Sequence, residues 1–224
     1  MAAPSSTSSP SILAALSTLF PPGTAIASEI ARGRFGVVNK MQCVLLKRSY
    51  AVKASITADT GIDASTALNE RAVMIGTTGH HHVVRLLYSK FAGGVQYLVM
   101  ELAHGSWVDL GEEMGALPMA ERVAVAERHF HHSLSALSFL HSIPLNNFLV
   151  RRRRNGSFAD GITLVADFGY SSGSRGMRFL SGLTLFGSPH RLHHIAGTPL
   201  PAEEDGGKSD VFSAAISAMA IVRG

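Results

Sequence analysis

Three short stretches decide the reading of this chain: Ala31-Arg32-Gly33-Arg34-Phe35-Gly36-Val37-Val38, then Ala51-Val52-Lys53, then Asp167-Phe168-Gly169. In the first, Gly33 and Gly36 lack the Cβ that would hold backbone amides away from phosphate oxygens. In the second, Lys53 ends an apolar strand candidate, where a cation needs either solvent or an anion. In the third, a carboxylate follows the strand candidate Leu164-Val165-Ala166 beside a glycine, the kind of oxygen ligand a hard cation such as Mg2+ takes. In this order the three read as a nucleotide site. Each alone has a plainer reading: a Gly-x-x-Gly is a turn more often than a ligand loop, a strand-end lysine is commonly solvated, and Asp-Phe-Gly arises by chance.

The segments between them follow a regular pattern. From Ile26 to Lys53, short apolar runs broken by glycine predict three antiparallel strands, with Val37-Val38, Cys43-Val44-Leu45-Leu46 and Tyr50-Ala51-Val52 as their cores. Ala64 to Ile75 carries Ala67, Leu68, Arg71, Ala72, Met74 and Ile75 at helical spacing, with Asp63 and Ser65 as N-cap candidates and Gly76 behind. Two further apolar runs, Val83 to Tyr88 and Val95 to Met100, flank the hairpin turn Ala92-Gly93-Gly94 and complete a five-stranded sheet with one helix. Beyond Glu101 to Gly105 the character changes. Met119 to Leu140 predicts a long helix with Val123, Ala126, Phe130, Leu134, Leu137 and Leu140 on its apolar stripe. Phe148-Leu149-Val150 and Ile162 to Val165 predict two short strands joined by a polar insert with a turn at Asn155-Gly156. Ser209 to Ile221 predicts a last, Ala-rich helix.

These motifs, in this order, resemble the eukaryotic protein kinase family from about Ile26 to Val222. The resemblance implies an α+β, two-lobed protein-kinase-like fold. Its N-lobe (25–103) would hold the five-stranded sheet and one helix, and residues 104–224 an incomplete, mainly helical C-lobe. It implies ATP and Mg2+ as cofactors, with Ala31, Gly33 and Gly36 in the phosphate loop. Lys53 would hold the α and β phosphates and Glu70 would orient it. Met100, Glu101 and Ala103 match the gatekeeper and hinge at the adenine edge, Val38 and Ala51 would cover the base, and Leu149 would lie beneath it. Asn147 and Asp167 match the metal ligands. Gly187-Ser188-Pro189 points to the Ser/Thr type, and Ser209-Asp210-Val211-Phe212-Ser213 to the start of the central C-lobe helix.

One part of the pattern fails. Between Leu140-His141-Ser142 and Asn147 the family carries a His-Arg-Asp segment with the Asp that accepts the substrate proton and a Lys that steadies the phosphate. Against that loop the chain is short by about seven residues. No catalytic base is left between His141 and Asn147, and losing base and lysine together should remove several orders of magnitude in rate. The missing segment also anchors the Phe of Asp-Phe-Gly, so a stack through Leu86, Met74 and Phe168 lacks its base. The Ala-Pro-Glu landmark is absent near His193-His194-Ile195, and the helices that follow Ser209 to Ile221 in the family are lacking. The expectation is thus an ATP-binding domain related to Ser/Thr kinases. The alternatives are a pseudokinase that binds nucleotide or a partner kinase, and a non-functional fragment. Protein substrates or a partner kinase are the implied partners.

Composition narrows the field. The chain has 224 residues, 46% of them hydrophobic and 16% charged, and no apolar stretch of the ~20 residues needed to span a bilayer, so no membrane association is expected. The formal charge of +4 sits largely in the run Arg151 to Arg154, read as a solvated hairpin insert, so no nucleic acid is expected either. One cysteine, Cys43, excludes an intramolecular disulfide and fits a cytoplasmic location, with the nucleus as the alternative. Residues 1–24 are Ser-, Ala- and Pro-rich and read as a flexible tail, whose apolar patch Ile12 to Phe20 is at best a marginal helix, with docking on the folded domain as an amphipathic turn for its alternative. Among the 11 histidines, His80-His81-His82 reads as a polar loop rather than a zinc site, because adjacent histidines point apart. Ser171, Ser172, Ser174, Ser181, Thr184 and Ser188 are candidate phosphorylation positions, but the Arg that would receive the phosphate is missing. A dinucleotide oxidoreductase is excluded, since an acidic ribose ligand is needed about 20 residues past the loop and Lys53 stands there.

Overall fold

The computed structural model describes residues 9–17, 20, 22–33, 36–56, 64–140, 147–153, 156–166 and 168, with 214–215, 218–219 and 222 near the C-terminus. It is an α+β structure that divides into two compact units, Met1–Gly76 with Arg85–Leu102, and Thr77–Val84 with Ala103–Gly224.

The first unit is built on an antiparallel sheet of β1 (Thr24–Gly33), β2 (Gly36–Cys43), β3 (Arg48–Ile56), β4 (Leu86–Ala92) and β5 (Val95–Glu101). The strand order is β1-β2-β3-β5-β4, so a five-stranded sheet is present as expected, although β1 contains none of the three expected strand cores. Gly93 and Gly94 both take positive φ in the β4–β5 turn, which glycine does at no steric cost. Two strand expectations need correction. Val44 to Leu46 are not strand core: β2 ends at Cys43, and the chain turns with Lys47 at φ 48. The apolar run Val83 to Tyr88 is split, since β4 starts only at Leu86 while Val83 bridges Val165 in the second unit.

Alternation sets the two faces of this sheet. Met41, Val52, Ala54, Val95, Tyr97 and Val99 line one face and form a core with Ile12 and Leu16. Those last two residues belong to α1 (Ser9–Leu16). Within the tail expected over 1–24, this part of the apolar patch is a docked helix, the lesser of the two readings its sequence allowed, with Ile12 and Leu16 each only 1% exposed. Eight residues are marginal alone in water, but burial on a sheet supplies what helix propensity does not. Lys90 Nζ donates to Ala15 O at 2.6 Å, satisfying one of the carbonyls left over at the helix end. On α2 (Ala64–Thr77), Ala67, Glu70 and Met74 are buried at helical spacing. Ser65 is inside this helix rather than its cap, and Asp63 lies outside the described residues.

In the second unit, β6 (Gly105–Ser106), β7 (Asn147–Arg151) and β8 (Ile162–Ala166) form a three-stranded antiparallel sheet. The hairpin strands expected at Phe148–Val150 and Ile162–Val165 are β7 and β8. Between β6 and α4 (Met119–Leu140) lies α3 (Trp107–Met114), which sequence reasoning passed over. Its start is a capping box: Ser106 N–H donates to Asp109 Oδ2 at 2.6 Å, and Asp109 N–H to Ser106 Oγ at 3.4 Å. Trp107, Leu110 and Met114 of α3 pack with Val125, Ala126, Val150, Phe158 and Ala218.

The long helix has the expected limits, but its apolar stripe only partly matches its buried face: Ala126 and Leu140 are buried and Phe130, Leu134 and Leu137 are half-buried. Val123 is exposed, and the buried residues are Val125, Ala126, His129, Ser133, Ala136 and Leu140. The inner face turns toward the polar Thr163 of β8, and takes in a histidine and a serine. The helix expected over Ser209–Ile221 is described only at Ala214, Ala215, Ala218 and Met219, where the backbone is helical. Among the described residues no helix is long and apolar enough to cross a membrane.

Candidate functional site

Lys53 is the focus of the first unit. It stands on β3 between Val38 of β2 and Leu98 of β5, in direct register with both, and Val38 is paired in turn with Ala31 of β1. One pleat along, Lys40, Ala51, Met100 and Leu86 form the next row on the same face. Ladder register thus gathers Ala31, Val38, Ala51, Lys53 and Met100 onto one side of the sheet, opposite the side that α1 covers. They come from four strands and 70 residues of sequence, yet share a patch because every pairing keeps its parity.

On this face Lys53 Nζ donates to Glu70 Oε1 at 2.7 Å, with the two side chains only 9% and 4% exposed. Helical spacing brings Glu70 there: it shares the buried stripe of α2 with Ala67 and Met74. A buried ion pair repays its desolvation only with good geometry. At 2.7 Å the geometry is that of a direct, charge-assisted hydrogen bond. The same face has further polar groups: Ser55 and Gln96, paired across β3 and β5, are buried, and Ser55 Oγ and both amide atoms of Gln96 have no hydrogen-bond partner. Sequence reasoning missed these two. The signal was there for Gln96, a lone polar residue on the side of β5 that carries Leu98 and Met100, and Ser55 shares the parity of Lys53 on β3.

The glycine loop closes the β1–β2 hairpin, with Gly33 opposite Gly36; Arg34 and Phe35 lie outside the described residues. Gly36 has φ 142, and a Cβ there would run into the carbonyl oxygen of Ala54. Close approach of β3 is therefore sufficient reason for glycine at this position. Glu101 ends β5, where its N–H donates to Arg85 O at 3.1 Å and its carboxylate accepts from Arg85 N–H at 2.9 Å.

The remaining site positions belong to the second unit. Ala103 is half-buried, one residue before His104, whose N–H donates to Val150 O at 2.9 Å. Leu149 is half-buried on β7 between Ser106 and Leu164. Asn147 opens β7, its backbone in register with Ala166, the residue before Asp167. Asp167 itself, Gly169 and the segment 141–146 lie outside the described residues, while Phe168 is fully buried. Among the described residues no group of three His, Cys, Asp or Glu side chains is arranged to hold a metal ion. Three histidines of this unit, His82, His129 and His132, do gather around Thr163, an arrangement that sequence reasoning did not foresee, although His129 and His132 stand three residues apart on a helix. Compared with protein-family models the chain matches none, and no curated protein matches it.

Proposed function

We propose that this chain is a nucleotide-binding domain of the two-lobed protein kinase type, taking ATP with Mg2+. The observation that carries the reading is the buried Lys53–Glu70 pair at 2.7 Å on the sheet face shared with Ala31, Val38, Ala51 and Met100. On this reading Glu70 fixes the position of the Lys53 ammonium, whose remaining charge faces the α and β phosphates. The small side chains Ala31 and Ala51 leave room for a planar base beside Val38, and the backbone of Glu101 and Ala103 offers its edge hydrogen bonds. By the resemblance, Leu149 is the apolar residue that would meet the base.

For the metal, the donor set suits the ion. An amide oxygen from Asn147 and a carboxylate from Asp167 are hard ligands, and the backbone register of Asn147 with Ala166, the residue before Asp167 in sequence, supports the reading. When bound, the ion would neutralise phosphate charge.

A second reading concerns the fate of the bound nucleotide. Sequence between Leu140 and Asn147 lacks the Asp and the Lys that the family uses to take the proton of the attacking hydroxyl and to steady the phosphate. We favour retention of nucleotide with little or no phosphoryl transfer, a pseudokinase acting on a protein partner, and a cytoplasmic or nuclear setting.

The test is a titration of the full chain with Mg-ATP, followed by calorimetry and by thermal melting. Saturable heat and a rise in Tm with ligand concentration are expected, since anything that binds only the folded state stabilises it by mass action. No heat and no shift at roughly millimolar Mg-ATP, where a Kd of that order corresponds to only about 4 kcal/mol, would overturn the nucleotide reading. Transfer of labelled γ-phosphate to a protein acceptor, abolished by Lys53→Arg, would overturn the second.

A further inference from the structure

In the second unit β8 is the outer strand of its sheet, and its free edge is closed by histidines. Thr163 is fully buried and uses all its polar groups. Its N–H donates to His132 Nδ1 at 3.4 Å, and its carbonyl accepts from His82 Nδ1 at 3.2 Å. Its hydroxyl oxygen accepts from Trp107 Nε1 at 3.0 Å and lies 2.7 Å from His129 Nδ1. Two residues on, main chain takes over: Val165 N–H donates to His82 O at 2.8 Å, and Val84 N–H to Val165 O at 2.9 Å. The imidazoles of His82 and His132 stack with centroids 4.4 Å apart and planes 18° from parallel. His129 meets His132 edge-on at 5.7 Å, and His80 stacks on Phe139 at 4.6 Å.

These bonds specify protonation. A backbone N–H can only donate, so the nitrogen it meets must keep its lone pair. His132 Nδ1, facing Thr163 N–H, is therefore bare, and so is His80 Nδ1, which accepts from His82 N–H at 3.2 Å. His82 carries its proton on Nδ1, toward the Thr163 carbonyl. A second proton on either stacked ring would set a cation against its partner's face, and on His132 it would put a proton at the nitrogen that Thr163 N–H now uses.

The neighbouring charges do not relieve this. His132 sees Arg128 of α4 and Arg153 beyond β7, with His82 and His129, while His82 sees His81 and Arg151 of β7. His129, also beside Arg128, has a buried Nε2 with no close hydrogen-bond partner among the described residues; the backbone of Ala159 and Phe158 favours its charged form, but burial outweighs it. The nearby carboxylates are engaged outside the stack: Asp160 lies 3.8 Å from Arg128, Glu127 3.8 Å from His131, and Glu113 3.4 Å from Arg152.

We propose that the stacked pair His82 and His132, bonded to the two backbone groups of Thr163, is a proton-operated latch on the outer edge of β8, closed while both rings are neutral and released on acidification. This holds whether or not the chain binds nucleotide. Burial holds His80, His82 and His129 below the ordinary imidazole range and brings His132 down to about 4. A folded-state pKa below the unfolded value of 6.5 means that the unfolded chain binds the proton more readily. The contribution to stability is thus complete above about 6.5, and is lost as pH falls from there toward about 4.

The experiment is a proton titration of the full chain by NMR, following the His132 ring signal and the exchange protection of the Thr163 amide together. A His132 midpoint near 4, with Thr163 protection lost over the same range, supports the latch. A midpoint near 6.5, or a Thr163 amide indifferent to His132 ionisation, overturns it. His132→Asn supplies a second arm, because its side-chain oxygen can still accept from Thr163 N–H but takes no proton. Each pH unit of separation is worth at most tenfold in the folded-to-unfolded ratio, and for a half-exposed ring screening leaves on the order of tenfold in all. Between pH 7 and 4.5 the wild type should lose about that factor more than His132→Asn. Equal acid sensitivity of the two refutes the proposal, and if the variant fails to fold, the wild-type titration decides.

Discussion

Replacing Lys53 by methionine should destabilise the first unit far more than the loss of one hydrogen bond. The substitution keeps the length and apolar stem of the side chain but leaves the Glu70 carboxylate, 4% exposed, without its cation. Removing one partner of a buried pair typically costs about 3–5 kcal/mol, because the surviving charge stays out of water. At roughly 2–4 °C of Tm per kcal/mol for a chain of this length, the expected drop is about 6–20 °C. The double variant Lys53→Met, Glu70→Leu removes both charges and refills the volume with apolar atoms, so it should recover most of that loss. The assay is thermal melting by circular dichroism of the wild type, both single variants and the double variant, which together form a thermodynamic cycle. Two results would contradict a buried, mutually compensating pair: Lys53→Met melting within about 2 °C of the wild type, or a double variant no more stable than Lys53→Met. The cycle also separates fold from function. The double variant should fold and yet fail to bind Mg-ATP if the nucleotide proposal holds, and should bind as well as wild type if Lys53 is only structural.

The other expectations concern parts of the first unit that composition alone conceals. Ile12→Ala should cost about 2–5 kcal/mol in denaturant unfolding, the usual range for emptying a fully buried aliphatic position, whereas an undocked tail would give no change. Gly36→Ala should cost about 1–3 kcal/mol, since φ 142 is strained for alanine and the new methyl meets the Ala54 carbonyl oxygen. Gly23→Ala, with φ 84 and open space around the position, should cost less, and a chemical-denaturation comparison of the two measures the steric contribution apart from the backbone one.

How much of this was legible in the sequence depends on which force set each feature. The cores of β2, β3 and β5, the Gly93-Gly94 turn and the limits of α4 follow local rules of alternation, glycine conformation and helical period, and could be read in advance, whereas β1 held none of the expected strand cores and β4 begins later than its apolar run. The Lys53–Glu70 contact was expected from spacing by resemblance, and its physical basis is parity: pleat and helical repeat bring both side chains to one face of the sheet. Features set by tertiary burial could not be read in this way. The apolar patch around Ile12 has too little helix propensity to stand alone, and only the second face of the sheet makes it α1. Val44, Leu45 and Leu46 look like a strand core but stand exposed at a turn, because the β2–β3 register closes at Cys43 and Arg48. The inner face of α4 departs furthest from expectation. A stripe drawn through its apolar residues leaves out His129, which is buried against Thr163 of β8, and Ser133, whose hydroxyl donates to the His129 carbonyl. Hydrophobic periodicity finds the side of a helix that avoids water. It cannot find a side that is buried against a polar partner, and in this chain that is the side on which the histidines collect.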